Sequence, residues 1–84
     1  MNYHRGTVVR SKAGHDKGSF YAVTAVEGDM ALIADGVKHT VKAPKRKKLI
    51  HLAFTKTVLS EQTMNNDNKI QKELAPFNER VRAD

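Results

Sequence analysis

Short apolar and β-branched runs, broken by glycine and proline, occupy the first two thirds of the chain, which is the pattern of a small all-β unit. Thr7-Val8-Val9-Arg10 reads as a first strand, followed by a polar loop, Ser11 to Gly18, whose glycines Gly14 and Gly18 allow backbone angles closed to other residues. Phe20 to Val26 reads as a second strand and Met30 to Ala34 as a third, with Gly28-Asp29 turning between them. Asp35-Gly36 is a strong hairpin signal and predicts a fourth strand over Val37 to Lys42. Leu49 to Phe54 completes five.

A two-residue turn at Asp35-Gly36 sets a register that pairs Ala34 with Val37, Leu32 with His39 and Met30 with Val41 on a core face. Ala31, Ile33, Lys38, Thr40 and Lys42 then point the other way. Continued through the Gly28-Asp29 turn, the same alternation faces Glu27 with Met30, brings Tyr21, Val23 and Ala25 to the core, and leaves Phe20, Val26, Ala31 and Ile33 as an outer apolar strip that needs a cover.

Beyond Thr57 the period changes. Ile70, Leu74, Phe77 and Val81 recur at four, three and four residues, one face of a helix, with Asn66 or Asp67 placed to cap its start. Pro76 costs about 3 kcal/mol inside a helix, so the spacing predicts a helix from Asp67 to Leu74 and a break after it. Val, Ile, Leu and Phe supply 13 of the 48 residues from Thr7 to Phe54 but 6 of the 28 from Thr57 to Asp84, so residues 1–56 read as the folded domain and 57–84 as a partly helical appendage, packed on the outer strip or frayed.

Charge follows the same division. Residues 1–56 hold 11 Lys/Arg against 4 Asp/Glu, whereas residues 57–84 hold 4 against 5, so the excess of positive charge belongs to the β-rich part, as expected of a partner for a polyanion. The absence of cysteine excludes disulfides, thiolate zinc sites and a thiol nucleophile, and favours a cytoplasmic setting. The longest uninterrupted apolar stretch, Met30 to Ala34, is far short of the roughly 20 residues of a membrane span, and Met1 to Arg5 leads into strand-like sequence without an apolar leader. No membrane association and no export are expected, and a monomer is the default.

Three stretches invite a chemical reading. His15-Asp16 has the residue types of a catalytic dyad, but sequence neighbours on a loop do not face each other and no nucleophile accompanies them; Lys17-Gly18-Ser19 lacks the earlier glycines and the following helix of a phosphate-cradling loop. His4, His15, His39 and His51 have no metal-ligand spacing. No enzymatic activity, cofactor or metal is therefore expected. Pro44-Lys45-Arg46-Lys47-Lys48 is different: four adjacent cations repel one another unless an anion neutralises them, and after an extended proline they read as a projecting loop that rakes phosphates. Lys38 and Lys42 lead into it, and Arg10, Lys12, His15 and Lys17 lie on or beside the glycine loop. With five aromatics, of which Tyr3 and Phe54 are the more available, a base-stacking platform is poorly supplied, and contact with the backbone of structured RNA fits better.

The stretch from Gly6-Thr7-Val8-Val9 through the loop Ser11 to Gly18 and on to Phe20-Tyr21-Ala22-Val23 resembles the KOW motif, with Gly18 at its essential glycine. Its continuation, Leu32-Ile33-Ala34-Asp35-Gly36 and then Lys45 to Leu52, is similar to small bacterial KOW-domain RNA-binding proteins and, through them, to a family of archaeal and eukaryotic large-subunit ribosomal proteins. The resemblance covers about residues 6 to 54. It implies a mainly β fold, a five-stranded SH3-like barrel here followed by a helical appendage, that binds ribosomal RNA and neighbours ribosomal proteins. Lys12 to Lys17 and the basic run after Pro44 would be its contacts; His15 stands where relatives often carry arginine. KOW domains also resemble the partner-binding barrels of transcription elongation factors, and a protein-interaction module is the competing expectation, favoured if the Phe20/Val26/Ala31/Ile33 strip is open to solvent.

Overall fold

The computed structural model describes residues 4–82, with side chains through Glu79; Tyr3 and the Val81 side chain lie outside the described part. The chain is mainly β, five antiparallel strands in one open sheet, with helices at its C-terminal end. The strands are β1 (Thr7–Ser11), β2 (Phe20–Glu27), β3 (Met30–Ala34), β4 (Lys45–Lys48) and β5 (Leu52–Val58). A 3-10 turn, Leu49–His51, joins the last two, and the helices are α1 (Glu61–Met64) and α2 (Asp67–Arg82). Sheet order is β4-β3-β2-β1-β5, so β1 is interior and β4 and β5 are edges.

The strand expected over Val37 to Lys42 does not form. Asp35 spends its carboxylate on the backbone: Oδ1 accepts from the amides of Val37 and His39 at 2.9 and 3.0 Å, while the His39 carbonyl accepts from the amides of Asp35 and Gly36. This closes a compact loop instead of a hairpin. Gly36, at φ +82°, lies so close to the Asp67 carbonyl that a Cβ would collide with it, and Asp67 Oδ1 in turn accepts from the Val41 amide at 2.9 Å. With the loop held against the start of α2, the free edge of β3 is taken by the basic run itself, which pairs Met30 with Lys48, Ala31 with Lys47, Leu32 with Arg46 and Ile33 with Lys45. Residues 45–48 are thus an edge strand and not a projecting loop.

Face assignments change for a second reason. The β2–β3 pairing starts as expected, with Glu27 opposite Met30, but a bulge between Val23 and Ala25 adds one residue and reverses the faces beyond it. Arg5 Nη1 donates to the Thr24 carbonyl at 3.2 Å and Thr24 Oγ1 to the Leu32 carbonyl at 3.1 Å, which hold the bulge. Tyr21 and Val23 keep their core positions, yet Ala31 and Ile33 join them in a fully buried cluster with Val9 and Leu52, while Val37 is 59% exposed. The outer strip therefore does not exist as read: Phe20 alone faces the helices, and Val26, at 38% exposure, stands at a rim.

The helices cover the opposite face. Leu59, Met64, Ile70 and Leu74 form a second core with Val8 and Ala22, and the Phe77 ring meets Phe20 with centroids 5.3 Å apart. Asn66 caps α2, its Oδ1 accepting from the Lys69 amide at 3.0 Å. The helix runs unbroken through Pro76. Full burial of an aliphatic side chain contributes about 1.5–3 kcal/mol, so Ile70 and Leu74 together offset the roughly 3 kcal/mol that an interior proline costs. At the far end of the contact, Asn78 Oδ1 accepts from the Phe20 amide at 2.9 Å and so completes the start of β2. Leu74→Ala should therefore destabilise the whole molecule by about 2–5 kcal/mol in a urea titration, with one transition and an unchanged slope; separate melting of a helical tail would contradict the shared core.

Candidate nucleic-acid interface

Strand alternation sorts the basic run into two pairs. Lys45 and Lys47 lie opposite Ile33 and Ala31, on the face of the Val9/Tyr21/Ile33 core; Arg46 and Lys48 lie opposite Leu32 and Met30, on the other. The inward pair ends on one carboxylate. Asp16, from the glycine loop, accepts from Lys47 Nζ and Ser11 Oγ at Oδ1, both at 2.8 Å, and from Lys45 Nζ at 2.8 Å and Tyr21 Oη at 3.0 Å at Oδ2. Lys47 Nζ also donates to the Ala13 carbonyl at 2.7 Å. The donors come from β1, β2 and β4, so one loop residue gathers three strands at one end of the sheet.

The side chains of Asp16 and Lys47 keep only 12% and 10% of their exposure. Burial alone would raise the Asp16 carboxyl, but the hydrogen bonds from Lys45, Lys47, Ser11 and Tyr21 outweigh it and hold the group well below the usual carboxylate range. Tyr21 moves the opposite way: burial, and then its hydrogen bond to the charged Asp16, push the phenol well above its ordinary value. The hydroxyl stays a donor. The loop itself is drawn tight, with the Gly18 amide on the Ser11 carbonyl at 2.8 Å and Gly14 and Gly18 at φ +88° and +93°.

The remaining candidate residues are distributed around this centre. Lys12, His15 and Lys17 are exposed on the glycine loop, and Lys12 is anchored through its amide to the His51 carbonyl at 2.8 Å. Lys38 and Lys42 are exposed on the 35–44 loop, not on a strand. His15, Lys38 and Lys45 border one cleft of about 600 Å³, so the glycine loop and the 35–44 loop meet at the same end of the sheet. Arg46 is 63% exposed and lies 3.8 Å from Glu27; Lys48 is exposed beside it. Arg10 is half-buried on β1 opposite Phe20 and Ala53, away from the Asp16 face. Of the turn residues, Gly14 and Gly18 take positive φ in the glycine loop, whereas Asp35 and Gly36 shape the loop that replaces the hairpin.

Two residues of consequence were not legible as such. Asp16 reads from the chain as one acid in a polar turn, although a lone carboxylate opposite a Lys-x-Lys pair of strand spacing is a usable signal once residues 45–48 are seen as a strand. Arg5 carries no local signal at all; it gathers the Thr24 carbonyl of β2 at 3.2 Å, and Glu61 Oε1 at 3.0 Å and Asn65 Oδ1 at 3.3 Å from α1 and its C-cap. Compared with known proteins, the chain matches no family model and no curated protein.

Asp16→Asn leaves two partly buried ammonium groups without a counter-charge and should cost about 3 kcal/mol at neutral pH. Because the folded-state pKa is depressed, the carboxylate's contribution is complete above the unfolded value of about 4 and is lost as pH falls through that range toward the folded value. Chemical denaturation at several pH values should accordingly show a shallower loss of stability below about pH 4 in the variant than in the parent. Equal acid sensitivity in the two would remove Asp16 from this role.

Proposed function

We propose that this protein is a KOW-type RNA-binding module, in finer terms an SH3-like barrel, that associates with ribosomes in the cytoplasm and grips the sugar-phosphate backbone of structured ribosomal RNA. The observation that carries the reading is the meeting of two loops: the Asp16 clamp holds the glycine loop in place, and Lys12, His15 and Lys17 stand exposed on the same end of the sheet as Lys38. None of these four has a carboxylate partner among the described residues. Exposed cations carried on a braced backbone suit phosphate contact, because little order remains to be imposed on binding. The strand order, with β5 returned beside β1 through a 3-10 turn, supports the barrel reading.

In this proposal the basic run divides its labour. Lys45 and Lys47 brace the loop, and Arg46 and Lys48 extend the cationic surface around the β4 edge. An open apolar strip would favour the rival reading as a protein-interaction barrel; Phe20 is packed against the helix-side core, Ala31 and Ile33 are fully buried in the other core, and of the four only Val26 is exposed.

Binding to ribosomal RNA fragments should weaken with salt at a slope of about −3 to −4 in log affinity against log salt, as four or five phosphate contacts require. Replacing Lys12, Lys17 and Lys38 together by glutamine should reduce that slope by about 2 to 3 with the fold intact. Glutamine at Lys45 and Lys47 should instead lower the unfolding midpoint. A slope unaffected by the triple replacement, or no binding at low ionic strength, would sink the proposal.

A further inference from the structure

We propose that the cleft between the glycine loop, the 35–44 loop and α2 seats one unpaired nucleotide of an RNA strand and prefers guanine. The inference rests on the RNA-binding reading and gives that surface a base-reading element. At about 600 Å³ the cleft falls within the roughly 300–1,000 Å³ of small-ligand sites. His15 and Lys38 are exposed members of its lining and suit a phosphate. Ala75 of α2 and Val37, which is 59% exposed, supply apolar lining beside His39, whose ring lies 6.2 Å from that of Tyr21. A flat heterocycle placed there covers Val37 and lies against an imidazole, as splayed bases do in single-stranded RNA recognition.

Three carboxylates border the cleft, and their states differ. Asp16 is neutralised by two lysines, and Asp35 Oδ1 is engaged by two backbone amides. Glu79 on α2 is exposed and has no hydrogen-bond or ion-pair partner among the described residues, and the same holds for the Gln71 amide on that helix. A free carboxylate facing a base pocket selects for donors. Guanine presents N1–H and the N2 amino group side by side on one edge, whereas uracil places carbonyl oxygens on both sides of its single N–H, where a carboxylate repels them. The phosphate meets Lys38 and the His15 ring, and the donor edge meets Glu79.

The test is titration of the isotope-labelled 84-residue protein with guanosine and uridine 5′-monophosphates and with inorganic phosphate, followed by amide NMR, alongside RNA binding by the same variants. Guanosine monophosphate should shift Val37, His39 and Gln71 and bind about tenfold more tightly than uridine monophosphate. Glu79→Gln should remove most of that difference, and Lys38→Gln should weaken both nucleotides. Equal affinity for the two nucleotides, or shifts confined to the Lys12–Lys17 loop and reproduced by inorganic phosphate, would overturn the cleft while leaving backbone contact with RNA in place. Guanosine monophosphate seated in the cleft of a protein that binds no RNA at low salt would overturn the strand-borne occupant and the RNA reading together.

Discussion

The carboxylate of Asp16 is the point on which this small sheet converges. The apolar faces of the strands do not by themselves determine how an eight-residue polar loop lies, and two lysines turned toward a core face are costly unless something answers their charge. One carboxylate meets both requirements. It takes both ammonium groups, a serine and a phenol, leaves no acceptor oxygen idle, and thereby ties β1, β2 and β4 to the loop that connects the first two. No buried side-chain polar atom among the described residues lacks a hydrogen-bond partner, which is the condition under which such a cluster orders a structure instead of weakening it.

That arrangement changes what the positive charge of the chain means. A run of four cations looks like a single electrostatic feature, yet a β-strand places neighbours on opposite faces, and half of the run becomes internal bracing. The exposed basic groups not tied to Asp16 come from several places: the glycine loop, the 35–44 loop and the outer face of the β4 edge. In the proposed function, binding and stability are linked through Asp16 without sharing the same lysines, and the braced loop is what presents Lys12, His15 and Lys17.

The C-terminal helix belongs to the same logic. It buries Val8 and Ala22, completes the first amide of β2 through Asn78, and holds the 35–44 loop through Asp67. In doing so it forms one wall of the cleft that the two basic loops border. The residues after Leu59 are therefore part of what shapes the candidate interface, although they contribute little of the positive charge.

From the chain alone, the β-rich character, the strands read over Thr7 to Arg10, Phe20 to Val26 and Met30 to Ala34, each within one residue of the observed bounds, the Gly28-Asp29 turn and the amphipathic face of Ile70, Leu74 and Phe77 could all be read, because each rests on a local period or on a turn residue whose preference acts within a few positions. The bulge at Thr24 could not, since it is held by Arg5, whose other partners lie more than fifty residues away. The failed hairpin at Asp35-Gly36 could not either, because a strong local preference yielded to a contact with Asp67. Pairing partners decide which edge a strand occupies and so which way its side chains point. For Lys45 to Lys48, that choice separates an inward brace from exposed charge, and only the assembled fold makes it.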